Sequence, residues 1–438
     1  MKNKLILFFS LLSGLTLFSQ EISHSFSLQK AIEYALENNR NIKNADLSIL
    51  AAKQQVWETT ARGLPQISGN VDYTFNVVRP IEPEPDDPFS FFFPKHQLTP
   101  SVTLNQLIFD GGYIVGLQSN KVFLEISQNA KDKTVNTIET NVINAYNNAL
   151  LTKESIEITK NNIRVLSDNL EETKKIFENG LTEEEDVEQL QLTLSGLQNN
   201  LRSLETLSDI SKGYLKILLG IDQNETIELT DSLESLIVEN ISLNLISNSH
   251  PVSNNIDYKI AANDAESKRL EYKLEKSEQL PKINAFVSSN YLGISESFAT
   301  FTKPEQPWFF STATGLKITF PIFSSFGKKA KRQRAKIEWD KAKNNLIDTE
   351  NQLSIEFKNA KNEYQLAIDT YDNKQKNLAL AEKIERKNTI KYKEGIASSF
   401  DLRQAQTQLY SSQQEYLQSI IDVINKKAAL KNLLNIKN

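Results

Sequence analysis

The chain has 438 residues, 50 Lys and Arg against 55 Asp and Glu, a formal net charge of −5, no Cys and three His. Without Cys there is no disulfide framework, no thiolate metal site and no lipid-anchored N-terminal Cys; His24, His96 and His250 lack metal-ligand spacing and read as surface or loop residues. No catalytic constellation is evident, so no enzymatic activity, cofactor or bound metal is expected, and an apolar content of 39% fits long, two-faced rods with much wet surface.

Met1 to about Gln20 carries Lys2 and Lys4, an apolar core from Leu5 to Leu17, then Ser19 and Gln20, which reads as a cleaved export signal. The apolar run is short for a bilayer span and no second one follows, so membrane insertion of the mature chain must use strands. Residues 27–62 read as one or two helices with Ser27 as N-cap and Leu28, Ala31, Ile32, Ala35 and Leu36 on one face. The period then changes to two. Ile67, Val71, Tyr73, Phe75 and Val77 alternate with Ser68, Asn70, Asp72, Thr74 and Asn76 over about 65–78; after a loop rich in Pro and aromatics, Leu98, Val102, Leu104 and Ile108 alternate with Thr99, Ser101, Thr103 and Asn105 over about 97–109. This pair predicts a β-hairpin.

From Leu117 to Asn179 neither Gly nor Pro occurs, and at 1.5 Å per residue a full helix would run about 95 Å. Val135, Val142, Ala149, Ile156, Ile163, Leu170 and Phe177 fall at seven-residue spacing, the seam of a left-handed coiled pair. After Gly180-Leu181, Leu190, Leu194, Leu197, Leu201, Leu204, Leu215 and Leu218 predict a returning antiparallel helix closed by Gly220. The helices are expected over about 113–179 and 184–219, followed by a mixed stretch at 221–250 with a strand-like piece and a short helix.

The chain then repeats itself in order. LPQISGNVDYTF at 64–75 returns as LPKINAFVSSNY at 280–291, FENGLTEEEDVEQLQLTL at 177–194 as YKEGIASSFDLRQAQTQL at 392–409, and LKILLG at 215–220 as LKNLLN at 430–435. Two structural repeats are therefore expected, 21–220 and 251–438, the second with strands near 281–292 and 309–323 and helices near 326–394 and 399–436. The fold class is mainly α with a membrane β-barrel portion. Four strands cannot close a barrel and open edges in lipid leave backbone groups unsatisfied, so several copies must share one; three copies give twelve strands. Phe91, Phe92, Phe93, Trp308, Phe309 and Phe310 mark one rim, and Phe109, Phe320, Phe323 and Phe326 the other. Ser68, Asn70, Asp72 and Thr74 are the expected lumen-facing positions.

The duplicated strand-strand-helix-helix plan, the LPQI strand start, QLIFDGG at 106–112 and the paired NGL and EGI turns resemble the TolC-type outer-membrane efflux proteins. The resemblance implies a homotrimer with a shared twelve-stranded barrel in outer-membrane lipid, a coiled α-helical tunnel in the periplasm and an equatorial linker at 221–250. It further implies a periplasmic adaptor and an inner-membrane pump as partners, and passive conduction of their substrates to the exterior. The outer-membrane component of type I polypeptide secretion is the close alternative, and a poreless periplasmic coiled-coil adaptor a more distant one.

By the same resemblance Asn179, Gly180, Leu181, Glu394, Gly395 and Ile396 form adaptor-docking turns, although both glycines equally permit tight reversals. Asp186, Tyr392 and Asp401 match positions of the family's gate network, whereas Ala397 replaces a linking arginine and Gln404 a second ring aspartate. Asp401 reads either as a ring of three carboxylates, which favours cations, or as the cap of the returning helix. Glu183, Glu184, Glu185 and Asp186 carry the same two meanings. The basic run Lys328, Lys329, Lys331, Arg332, Arg334 and Lys336 reads as a collar near lipid phosphates or a solvated face, not a nucleic-acid site. Trp57 and Trp339 read as packing residues.

Overall fold

The computed structural model describes residues 23–81, 92–242, 245 and 251–436; the expected export signal, Phe91 and His250 lie outside them. In chain order the elements are β1 (Ser23–Phe26), α1 (Leu28–Asn38), α2 (Arg40–Ala61), β2 (Gln66–Phe75), β3 (His96–Phe109), α3 (Gly111–Glu178), α4 (Glu184–Leu219) and β4 (Thr226–Leu229). They continue with α5 (Leu233–Asn240), α6 (Ile256–Ser277), β5 (Lys282–Ser295), β6 (Trp308–Thr319), α7 (Gly327–Lys393) and α8 (Ser399–Leu434). Among the described residues no helix is long and apolar enough to cross a membrane.

The chain divides into two compact units, one from the stretches through Ala45, Lys131 to Ile256 and Asn351 onward, the other from Asp46–Ala130 and Asp257–Glu350. Each draws on both halves of the sequence. In the first unit Ser27 caps α1 as expected, its hydroxyl accepting from the Lys30 N–H at 3.4 Å. Ala31, Ile32 and Ala35 of α1 pack into one core with Val142, Tyr146 and Leu150 of α3, Leu215 and Leu219 of α4, and Ile420, Ile421 and Ile424 of α8. A parallel pair was not foreseen: β1 lies beside β4, from Ser23 opposite Thr226 to Phe26 opposite Leu229. Two four-residue strands some 200 positions apart are too short to show a period. His24 belongs to this sheet, with Nε2 2.6 Å from a Glu225 carboxylate oxygen.

The coiled seam also departs from expectation. Val142, Ala149 and Leu170 are buried, but Phe177 is 38% exposed. Beyond Leu150 the buried positions of α3 are Thr152, Ser155, Thr159, Asn162, Leu166, Asn169, Leu170 and Thr173, six of the eight polar. Three polar positions of α3 meet α8 through hydrogen bonds: Asn147 to Asn425 at 2.9 Å, Ser155 to Gln414 at 3.3 Å and Asn162 to Gln413 at 2.9 Å. Buried polar groups need such partners, so amides from both elements zip the seam.

The second unit holds a four-stranded antiparallel sheet in the order β2-β3-β5-β6. Its register sorts the side chains as the alternation predicts. One face carries the rows Ser68–Thr103–Ser288 and Asn70–Ser101–Asn290–Ser311, with the Thr103 and Ser288 hydroxyls 2.9 Å apart. The other carries Ile67–Leu104–Val287, Leu316 and Ile318, and Tyr73–Leu98–Gly293–Trp308. Gly293 has no Cβ because the Trp308 ring lies across it, 2.8 Å from where that atom would stand. β6 stops at Thr319 and not near 323, because Pro321 has no N–H for a ladder. Trp339 stacks on Tyr272 at 6.0 Å, but Trp57 is 60% exposed and packs no core of this chain, contrary to expectation.

Candidate functional site

The two helical turns close in the same way, 215 residues apart. At the first, the Gly180 N–H bonds to Phe177 O at 2.8 Å and the Leu181 N–H to Ile176 O at 3.1 Å; at the second, Gly395 bonds to Tyr392 O at 3.0 Å and Ile396 to Lys391 O at 2.8 Å. This paired closure needs a left-handed residue, and φ is +68° at Gly180 and +71° at Gly395. A Cβ on either glycine would meet nothing within 4 Å, so backbone conformation and not space selects them. Leu181 and Ile396 follow at 78% and 75% exposure, two apolar side chains held out on rigid turns. Asn179 steadies its turn by donating to Lys175 O at 2.6 Å, and the Glu394 N–H bonds to Ile390 O at 3.0 Å.

Next to the turns, the structure gives each of the three expected gate positions a definite partner. Asp186, with Glu184 and Glu185 in the first turn of α4, accepts from the Thr182 hydroxyl of its own turn and from the Ser399 hydroxyl at the start of α8. One carboxylate thus ties the two helix starts together. Tyr392 shares a 2.9 Å hydrogen bond with Thr173 of α3, and burial, reinforced by the Asp186 and Glu172 carboxylates, pushes its hydroxyl above the usual phenol range. Lys393 adds a 3.0 Å ion pair to Glu172.

Asp401 is a helix cap. Its carboxylate accepts from the Ser398 N–H at 3.1 Å and the Ser398 hydroxyl at 2.8 Å, while the Asp401 N–H donates to Ser398 Oγ at 3.2 Å. Those bonds hold its carboxyl below the usual aspartate range. Ser398, Ser399 and Thr173 escaped the sequence reading, although Ser-x-x-Asp at 398–401 is a readable capping signature. Ser68, Asn70, Asp72 and Thr74 share one face of β2, where all four are exposed.

A family model for outer membrane efflux proteins matches residues 31–220 and 252–435. Among solved structures, VceC from Vibrio cholerae is 17% identical with a TM-score of 0.74, covering 93% of this chain and 95% of that one. The CmeC outer membrane channel of Campylobacter jejuni is 16% identical with a TM-score of 0.76, covering 93% and 85%. The MtrE outer membrane channel of Neisseria gonorrhoeae, in its open state, is 16% identical with a TM-score of 0.67, covering 93% and 88%. No curated protein sequence matches the chain significantly. With both halves matched by one family model and the sheet-and-hairpin fold shared with solved outer-membrane channels over nearly its whole length, the chain belongs to the outer membrane efflux protein family.

Proposed function

We propose that three copies form a passive exit duct that receives substrate from a periplasmic adaptor and an inner-membrane pump and releases it outside the cell. The observation that carries this reading is the four-stranded sheet with one unpaired edge on β2 and one on β6 and an exposed apolar face, Ile67 at 71% and Leu316 at 66%. A lone sheet of this kind leaves edge groups without partners in lipid, and joining β6 of one copy to β2 of the next satisfies them in a twelve-stranded barrel. The polar rows through Ser68, Asn70, Asp72 and Thr74 then line the lumen. Apolar side chains left bare along the helices, Leu192 and Ile210 of α4 and Ile355 and Leu366 of α7, supply contacts between copies.

In this assembly the turns at Asn179–Leu181 and Glu394–Ile396 form the periplasmic entrance and dock the adaptor through Leu181 and Ile396, while Asp186, Tyr392 and Asp401 stand just behind them. Photo-crosslinking residues at 181 and 396 in cells test the reading. Capture of a periplasmic adaptor supports docking, and that adaptor's cognate pump indicates whether the cargo is small molecules or polypeptides. Crosslinks confined to copies of this chain would remove the tripartite assignment.

A further inference from the structure

The helix that follows β6 begins with a run of cations most of which have no side-chain partner among the described residues. Lys328, Lys329, Lys331, Arg332, Arg334 and Lys336 occupy six of its first ten positions, no acidic residue precedes Glu338, and the first turn contains none. Cations are disfavoured near a helix N-terminus, where the peptide dipoles already present positive charge. Lys328 reaches back to the Glu278 carbonyl. Lys329, Lys331, Arg332 and Arg334 have no side-chain partner among the described residues.

Directly before them the chain exposes Phe320 at 60%, Ile322 at 89%, Phe323 at 77% and Phe326 at 72%. Ser325 and Phe326 take left-handed φ values of +46° and +62°, which turn the chain from strand to helix. A recess of about 290 Å³ joins the two sets, lined by Gln279, Ile322, Phe323 and Phe326 together with Lys328 and Lys329. The matched junction in the first half, Gly111 to Asn120, carries no cation. The feature is therefore not a requirement of starting such a helix.

We infer that residues 320–334 form a binding surface for anionic phospholipid of the periplasmic leaflet, with Ile322, Phe323 and Phe326 among the acyl chains and Lys329, Lys331, Arg332 and Arg334 on the headgroup phosphates. This rests on the shared-barrel reading. The apolar segment continues the lipid-facing side of β6, where Leu316 and Ile318 are exposed, and the cations meet the layer where phosphates lie. At 1.5 Å per residue, positions 329–334 rise about 3 to 10 Å beyond Gly327, the depth of a headgroup layer of roughly 6 Å and its near surface. Zwitterionic lipid offers the same apolar chains but no net charge to match these cations.

The test reconstitutes wild type and a K329Q/K331Q/R332Q/R334Q variant in bilayers of equal phosphatidylglycerol and phosphatidylcholine, and counts by native mass spectrometry the lipids that stay bound after detergent extraction. Wild type retains phosphatidylglycerol over phosphatidylcholine by about tenfold or more, and the variant returns to the ratio of the mixture. Raising salt from about 0.05 M to about 0.5 M erases the wild-type preference, a readout that needs no variant to fold. Equal retention by wild type, or a preference untouched by the four substitutions and by salt, overturns the inference. Loss of the preference to millimolar inorganic phosphate assigns the surface to a free anion and overturns it too. Heat-modifiable migration of the wild type is read in parallel: its absence sinks the barrel reading, whereas a heat-modifiable trimer without lipid preference sinks the lipid surface alone.

Discussion

Lys427 shows at the residue scale what the helical core costs. It is 8% exposed, its Nζ donates to Glu239 O at 3.0 Å, and burial, aided by the charge of Lys431, pushes its pKa down to about 8. The folded chain therefore releases this proton before the unfolded chain does. Below pH 8 the penalty is fully present, and it is relieved as pH rises from about 8 toward the ordinary lysine value. A Lys427→Met variant should hold its largest advantage in thermal midpoint over wild type at pH 7 and lose ground by pH 10; a gap that does not change with pH refutes the buried charge. Tyr146 marks the opposite case. Its hydroxyl is buried against Phe26 O at 2.9 Å and the Asp231 carboxylate at 3.1 Å, and the Leu28 N–H meets the same carboxylate at 2.7 Å. Tyr146→Phe leaves an acceptor short in a closed core, so denaturant unfolding should show a loss of about 1–3 kcal/mol.

Elements differ in how far the sequence discloses them, and the difference follows from which signal each one carries. The strands were legible because Ile67, Val71 and Tyr73 alternate with Ser68, Asn70 and Asp72, and the register keeps the two sets on opposite faces. Gly180 and Gly395 were legible because few residues other than glycine adopt their φ. The polar seam of α3 was not, since Ser155 and Asn162 look like surface residues until Gln414 and Gln413 are placed beside that helix. Trp57 failed for the converse reason: an aromatic in a helix suggests packing, yet this one faces outward. Of the two meanings open for Asp401, the cap is visible in the single chain, where Ser398 binds it from backbone and hydroxyl together. Because those bonds lower its pKa, the cap persists above the ordinary carboxylate range and is lost as pH falls through the lowered value. The exchange protection factor of the Ser398 amide, whose hydrogen bond the Asp401 carboxylate accepts, should hold at pH 5, fall only in stronger acid, and be small at every pH in Asp401→Ala.

For the whole molecule, the question is which of these bonds restrains the entrance of the proposed trimer. Asp186 is the side chain that ties the start of α4 to the start of α8, through Thr182 and Ser399, while Tyr392 ties the end of α7 to α3 through Thr173. Opening such an entrance requires one hairpin to move against the other, so only bonds that cross between hairpins resist it. Asp401 bonds within its own turn and Asp186 bonds across, and that difference predicts different effects on the proposed entrance. Asp186→Ala in planar bilayers should therefore raise single-channel conductance, and adding Tyr392→Phe should raise it further, because each removes an independent tether. Asp401→Asn, which keeps an acceptor for the cap, should leave conductance near wild type. If Asp401→Asn instead raises conductance or weakens cation selectivity while Asp186→Ala changes neither, the restraint lies in a ring of carboxylates around the axis and not in the tie between the hairpins.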